Sequence, residues 1–499
     1  MDFIKPWTRE QRYLPYNHWK QEEIKQLEDT VKQSKWRLNY HIQPKSGLLN
    51  DPNGFSYFNN KWHIFHQIYP FGPVHGLKSW RHLQSDNLID WEDLGLALTP
   101  NHHETSHGVY SGSAFVHNDK LLLFLTGNHF DQANIRHPYQ LIMTMNQQNQ
   151  FADTYQTILD DSPAQYTEHF RDPQIIKFND QYLMVIGAQD QNLHGQIALY
   201  TSKNLKTFTY LGQLNLNLDL GYMVECPNLI QIDDKLVLIF CPQGLNTKEH
   251  HYQNIYPNTY IIGDDLDFNN LSLTNQSKLQ NLDEGFDLYA TQVFNAPDGR
   301  TLAISWLGLP DTTYPSDMDQ WSGCLSLVKE LTIKNNHLYQ YPVSETKDLR
   351  IKHEQLTYHA NNTYQEIKTT KNSYELELTI DNEQIIEFLL YSNSTKNKYL
   401  KLTIDQHKHR LTLNRSHFDL KFATNHGEIR ATNLPTGPIT LNIFIDTSAI
   451  EIYINKGYKT LTARIFPDEE QTHTFIKLNQ EKTTINMYPL RQINLNNEV

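Results

Sequence analysis

The chain is short of cysteine, of cationic surplus and of long apolar runs, and each shortage removes a class of protein. Only Cys226, Cys241 and Cys324 occur in 499 residues. They offer no paired disulfide framework and no C-x-x-C zinc spacing. Lys plus Arg number 43 against 56 Asp plus Glu, a formal charge of −13. That balance argues against a nucleic-acid partner, which requires a basic surface to neutralise phosphates. No stretch approaches the roughly 20 apolar residues of a membrane-spanning helix. The opening "MDFIKPWTREQRYLPY" lacks the apolar core of a signal peptide. A soluble protein of a reducing cytoplasm, with no membrane partner, is expected. At 499 residues, two domains are expected.

One motif points elsewhere. "HHETSHGVYSGS" holds H-E-x-x-H at His103, Glu104 and His107, the pattern of many zinc peptidases. The pattern works only on a helix, where positions four apart share a face. Pro100 precedes it and Gly108 follows, and both discourage a helix. The longer metzincin pattern fails because its Gly falls on Tyr110. A loop leading into a strand is expected instead, with no metal and no cofactor.

What the chain does have is a repeat. One helix-like run, "HWKQEEIKQLEDTVKQSKW", opens it. Then come "GFSYFNNKWHIFHQ", "SAFVHNDKLLLFLTG", "QIIKFNDQYLMVIGAQ", "NLIQIDDKLVLIFCPQG" and "TQVFNAPDGRTLAISWLG". Each reads as strand, tight polar turn, more apolar strand. Asn, Asp and Gly at the turns are what hairpins select. Spacings of about 50 to 60 residues match a four-stranded propeller blade. The repeat fades after "HLYQYPV", and alternating strands such as "YELELTI" and "AIEIYIN" follow. The expectation is an all-β chain: a helical extension over 1–36, a five-bladed β-propeller over 37–342, a helix-like linker over 343–356 and a β-sandwich over 357–499.

Acids recur at the head of the units. "NDPNG", "FRDPQ", "ECPNL" and "FDLYATQ" stand where "YSGS" stands in the second unit. The first strand of every blade borders a central channel, so Asp51, Asp172, Glu225 and Asp287 are expected to meet at one mouth. Asn, Asp, Pro and Gly also make turns. Turn chemistry does not, however, require Arg171 beside Asp172 or Glu225 before Cys226. Clustered carboxylates under an aromatic rim suit glycoside hydrolysis, in which one attacks the anomeric carbon and another protonates the leaving oxygen.

At these residues the sequence resembles glycoside hydrolase family 32, the invertase and fructan-hydrolase family, over nearly its whole length. "NDPNG", "RDP" and "ECP" in that order carry the likeness, and "YSGS" and "DLYATQ" add to it. The resemblance implies a five-bladed propeller with a sandwich, and a retaining mechanism. It implies Asp51 as nucleophile, Glu225 as general acid/base, and Asp172, with Arg171 beside it, as transition-state stabiliser. It further implies Asn50, Gln67, Tyr110 and Ser111 in a fructose pocket walled by Trp80 and Trp306. "GLLNDPNG", "HGLKSW" and "CPQGL" have the look of the bacterial members that cleave sucrose 6-phosphate. Three positions depart from the family pattern: Arg81 in "WRH", Thr291 in place of Pro, and Asn228 in "ECPN".

The implied substrate is a terminal β-D-fructofuranoside, sucrose 6-phosphate or sucrose first, with short fructo-oligosaccharides such as kestose as the alternative. A non-catalytic sugar-binding propeller would need a missing carboxylate, and none is missing. A phosphorylated sugar would need a cation, and Lys78 and Arg81, flanking Trp80, are nearest in sequence, with His82 as an added donor. The other reading pairs these cations with Asp86 or Glu92 on a solvated face. The sequence fixes neither the oligomeric state nor the role of the sandwich.

Overall fold

The computed structural model describes residues 7–248, 251–369, 371–381, 384–479 and 482–497. The Glu- and Lys-rich run forms the helix Gln21–Lys32, which buries Val31 against Trp36, Leu307 and Trp321. A shorter helix, Arg9–Arg12, precedes it, capped by the Thr8 side chain.

All five hairpins expected from the repeat are present. Their leading strands are Gly47–Phe58, Val109–His117, Tyr166–Phe178, Met223–Ile232 and Tyr289–Asn295. The turns hold Asn59, Asn60, Asn118, Asn179, Asp233 and Gly299 at positive φ, the conformation Asn, Asp and Gly tolerate best. Each hairpin extends into an antiparallel sheet of its own. The first sheet gains two parallel edge strands, Trp321–Ser322 and Leu495–Asn497. The zinc-like segment forms a 3-10 turn, His103–Thr105, ahead of the second leading strand, so its histidines share no helical face.

The five leading strands stand side by side, and the fifth lies against the first. Equivalent side chains stitch this ring. Asn53 accepts from the Gly112 N–H at 2.8 Å. Ser113 donates to the Pro173 carbonyl at 3.0 Å, and Gln174 accepts from the Leu229 N–H at 3.2 Å. Asn228 donates to the Thr291 carbonyl at 3.0 Å, and Gln292 accepts from the Gly54 N–H at 2.9 Å. Every bond runs from one strand to the next, and the last closes the circle. Asn228 and Thr291, two of the departures from the family pattern, belong to this belt.

Beyond the 3-10 turn Ser344–Leu349, which replaces the expected helix-like linker, strands begin at Glu354. They build two six-stranded sheets that share one core, with Leu376, Phe388, Leu402, Ile443, Ile452 and Ile476 inside it. Buried polar groups join this core to the N-terminal sheets. His41 lies between Asp446 and Glu451, at 2.8 and 3.0 Å. Asp283 accepts from Thr460 and Thr462 at 3.0 and 2.8 Å.

Burial alone would depress His41, but its two carboxylate partners push its pKa up to about 9. Tyr40, Lys329 and Tyr453 also face this group of charges. A base whose folded pKa exceeds its unfolded one stabilises fully below the unfolded value, about 6.5, and loses that contribution as pH rises through about 9. The loss is about 3 kcal/mol. Thermal midpoints of the parent protein should therefore fall more steeply between pH 6.5 and 9 than those of His41→Gln. Parallel curves would refute the charged bridge.

Candidate active site

Each of the five leading strands carries one extra residue just ahead of its ring-stitching side chain. Between Leu49 and Pro52, Val109 and Gly112, Arg171 and Gln174, Glu225 and Asn228, and Tyr289 and Gln292, the partner strand advances one residue fewer. Such bulges bend a strand and re-aim its side chains. The bulged pairs are Asn50–Asp51, Tyr110–Ser111, Asp172–Pro173, Cys226–Pro227 and Ala290–Thr291. Asp172, Cys226 and Ala290 adopt positive φ, at 67°, 49° and 51°, which is uncommon for residues other than glycine.

Asp51, Asp172 and Glu225 thereby line one cavity of about 300 Å³. Asp51 accepts from Ser111 Oγ at 2.5 Å and from Asn50 Nδ2 at 3.1 Å. Asn50 also donates to Gln67 at 2.6 Å and accepts from Lys78 Nζ. Asp172 accepts from the Cys226 N–H at 2.9 Å. The Cys226 thiol lies 3.8 Å from Asp51 and 3.6 Å from Asp172, between the two carboxylates. Glu225 is gripped on both oxygens. Arg171 Nε and Nη2 reach Oε1 at 3.0 and 2.7 Å, while Tyr289 and Gln243 reach Oε2, each at 2.7 Å.

This packing separates the three acids electrostatically. Burial raises the pKa of Asp51, with Glu225 adding to the rise and Ser111, Asn50 and Lys78 opposing it. Burial also raises Asp172, to about 7; the Arg171 charge opposes this while Glu225 and Asp51 add to it. Burial works on Glu225 in the same sense, but Arg171 and Tyr289 outweigh it and hold its pKa below the usual value. Glu225 alone of the three is thus shifted toward its anionic form. Lys78, fully enclosed, is lowered to about 7 by burial, against the pull of Asp51.

Asn50, Gln67, Tyr110, Ser111, Arg171 and Trp306 line the same cavity. Four expectations fail. Trp80 is no wall: it is fully buried beside Phe65, and its indole N–H donates to the Tyr110 carbonyl at 3.0 Å. Arg81 faces away and binds Asp93 through two bonds of 2.7 and 2.6 Å, so neither Asp86 nor Glu92 is its partner. His82 is stacked on Phe65 and hydrogen-bonded to His63. Asp287 lies outside the cavity, where it accepts from Tyr314 and from the Arg464 N–H at the border with the C-terminal sheets. The alternation of a strand explains Arg81: it is the neighbour of Trp80 and so points to the opposite face. Lys78, by contrast, lines the cavity and is not on a solvated face.

Other lining residues escaped the sequence reading: Tyr13, His75, Arg136, His169, Tyr256 and Asp311. None lies in a repeated motif. Gln243 and Tyr289 do, in "CPQG" and "DLYATQ", and the repeat could have flagged them. Tyr13 arrives from the N-terminal extension, which closes over Gly76. A Cβ at Gly76 would stand 2.7 Å from the Arg12 carbonyl oxygen, so only glycine permits that approach.

Three largely enclosed carboxylates around one sugar-sized cavity, one of them gripped by arginine and tyrosine, form the constellation of a glycosidase. Comparison with known proteins gives the same class. The N-terminal domain of glycosyl hydrolases family 32 matches residues 41–342, and the C-terminal region of that family matches 345–491. The chain belongs to glycosyl hydrolases family 32. It is 44% identical over 487 residues to a sucrose-6-phosphate hydrolase of Streptococcus mutans, covering 96% of this chain and 98% of that one. The corresponding protein of Pediococcus pentosaceus is 44% identical over 462 residues, or 92% of each chain. The solved sucrose-6-phosphate hydrolase of Lactobacillus gasseri superposes with a TM-score of 0.93 at 42% identity, covering 98% of this chain and all of that one.

Two variants test the construction of the site. Gln292→Leu removes the acceptor of the Gly54 N–H and the donor to Asn228 Oδ1. It should cost about 2 kcal/mol or more, since buried partners are left unpaired, and urea unfolding reads the loss. An unshifted transition would show that the ring does not rely on this bond. For Asp172, an acid whose folded pKa is raised weakens the fold as pH climbs from about 4 through about 7. Asp172→Asn should therefore melt higher than the parent at pH 8, with the gain shrinking toward pH 4. A variant that melts lower at pH 8 would contradict the burial of this charge.

Proposed function

We propose that this enzyme hydrolyses sucrose 6-phosphate by a retaining mechanism, with Asp51 as nucleophile, Glu225 as acid and base, and Asp172 as stabiliser of the oxocarbenium-like transition state. The observation that carries the reading is the meeting of these three carboxylates, at or directly before the bulges of three separate strands, in one cavity. The chain's similarity to sucrose-6-phosphate hydrolases over nearly its whole length supports the choice of sugar. The ring of five strands supports a five-bladed propeller, and the twin six-stranded sheets support a sandwich. The family match over 41–342 supports a catalytic domain over 37–342, and the strands from Glu354 onward support a sandwich over about the span 357–499, after a helical extension over 1–36 and a linker over 343–356. Three free, buried thiols support a reducing cytoplasm, and no described helix is long and apolar enough to cross a membrane.

The chemistry follows from the contacts. Ser111, Asn50 and the thiol of Cys226 fix the Asp51 carboxylate, so that one oxygen can attack the anomeric carbon while the C–O bond to the leaving group breaks. Lys78 orients Asn50 and keeps positive charge close to Asp51. Asp172 stays beside the ring and strengthens its hydrogen bonds as positive charge develops there. Glu225 must carry a proton to release the leaving oxygen. A bound sugar expels water, which sharpens the repulsion between Glu225 and the other two acids and favours that proton. Once Asp51 is esterified its charge is gone. Glu225 then faces less repulsion, loses its proton more readily and activates water as base.

Asp51→Asn and Glu225→Gln should each fold and lose about 1,000-fold or more in kcat, but they should differ in one respect. A fructoside with a good leaving group, needing no proton, should recover much of the first step in Glu225→Gln and none in Asp51→Asn. Stopped-flow release of an aryl leaving group measures it. Equal recovery in both variants would reverse or remove the assigned roles.

A further inference from the structure

A phosphorylated leaving group would bring close to two negative charges to a cavity floored by three carboxylates. Something near the mouth must offset them. At the floor, no cation is to spare. Lys78 is committed to Asn50, and Arg171 to Glu225, with its remaining Nη1 on His169 at 3.2 Å. Arg136, the first residue of the strand Arg136–Met145, is different. Its guanidinium lies over the Tyr110 ring, 5.2 Å from the centroid. Its Nε donates to the neutral Asn128 Oδ1 at 2.6 Å. Among the described residues no carboxylate pairs with it, whereas Arg81, Arg171, Arg300, Arg350, Arg415 and Arg491 each have one.

The rim is polarised around it. His169, whose side chain is 41% exposed, and the hydroxyl of Tyr13 line the same side of the cavity as Arg136. Tyr13, Tyr110 and Arg136 interact as one group. Elsewhere on the rim, Asp311 is exposed and accepts from Tyr256 at 3.0 Å. A phosphate dianion is drawn to the first side and repelled by the second. The guanidinium is planar, and with Nε spent on Asn128 its outer N–H groups form the fork that phosphate oxygens match.

We propose that Arg136, flanked by His169 and Tyr13, binds the phosphate of the leaving sugar and sets the preference for a phosphorylated disaccharide. The inference rests on the substrate reading above and assigns it a residue. It also replaces Arg81, whose charge is spent on Asp93. Arg136 is a specificity residue: it touches the leaving group remote from the bond that breaks, so its loss should act on KM more than on kcat.

The test compares kcat/KM on sucrose 6-phosphate and on sucrose for the parent, Arg136→Ala and Arg136→Lys. Inorganic phosphate serves as a competing probe against sucrose, and thermal melts verify the fold of each variant. The parent should favour the phosphorylated sugar, less so at high salt. In Arg136→Ala the ratio of the two kcat/KM values should drop at least tenfold, mainly through KM, and inhibition by inorganic phosphate should weaken. Arg136→Lys, which keeps the charge and loses the fork, should fall between. A parent preference that survives in both variants overturns this inference and leaves the substrate reading standing. A parent with no preference overturns the substrate reading and this inference with it.

Discussion

The site depends on one backbone device repeated around a ring: an extra residue in each of five leading strands, just ahead of its ring-stitching side chain. Without it, alternation would turn successive side chains to opposite faces of a sheet, and no strand could present both members of Asn50–Asp51 or Tyr110–Ser111 to one cavity. With it, the chain bends at the mouth and both members line the same space. The belt of Asn53, Ser113, Gln174, Asn228 and Gln292 lies one or two residues beyond each bulge and ties every strand to the next. Bulge and belt act together, because a strand bent this sharply leaves N–H and C=O groups that neighbouring side chains must satisfy.

The electrostatics of the site are a second consequence. Crowding three acids into a buried cavity would discharge them, were cations not built into its floor. Arg171 and Lys78 divide that task. Arg171 shifts Glu225 toward its anion, while Lys78 works through Asn50 beside Asp51. As the proposed acid, Glu225 would gain its proton against that pull, which a bound sugar favours by excluding water.

Much of this was legible in the sequence, for a definite reason. The hairpin turns use Asn, Asp and Gly at positions that need positive φ, so the repeat shows through its turns. The acids sit at fixed offsets ahead of those turns, so Asp51, Asp172 and Glu225 could be placed together from spacing alone. Asp287 failed because it stands five residues ahead of Gln292, where Asp51, Asp172 and Glu225 stand two or three ahead of Asn53, Gln174 and Asn228; it precedes its strand, which begins at Tyr289, and its carboxylate serves the Arg464 backbone instead. Trp80 and Arg81 failed because adjacency in sequence says nothing about facing: one is core and the other is paired on the far side. Tyr13, Arg136 and His169 had no signal at all. They reach the cavity from an N-terminal extension, from the third strand of the second sheet and from an irregular stretch of the third leading strand between Tyr166 and Phe170, where no period relates them to the acids.

The most direct test of the account is the identity of the residue that carries the sugar. A slow fructosyl donor mixed with Glu225→Gln, quenched in acid and digested, should give one peptide heavier by a fructosyl unit, with the label on Asp51. The parent should release β-fructose as its first product, as double displacement requires. A label on another residue would move the nucleophile, and an inverted first product with no labelled peptide would contradict the mechanism altogether.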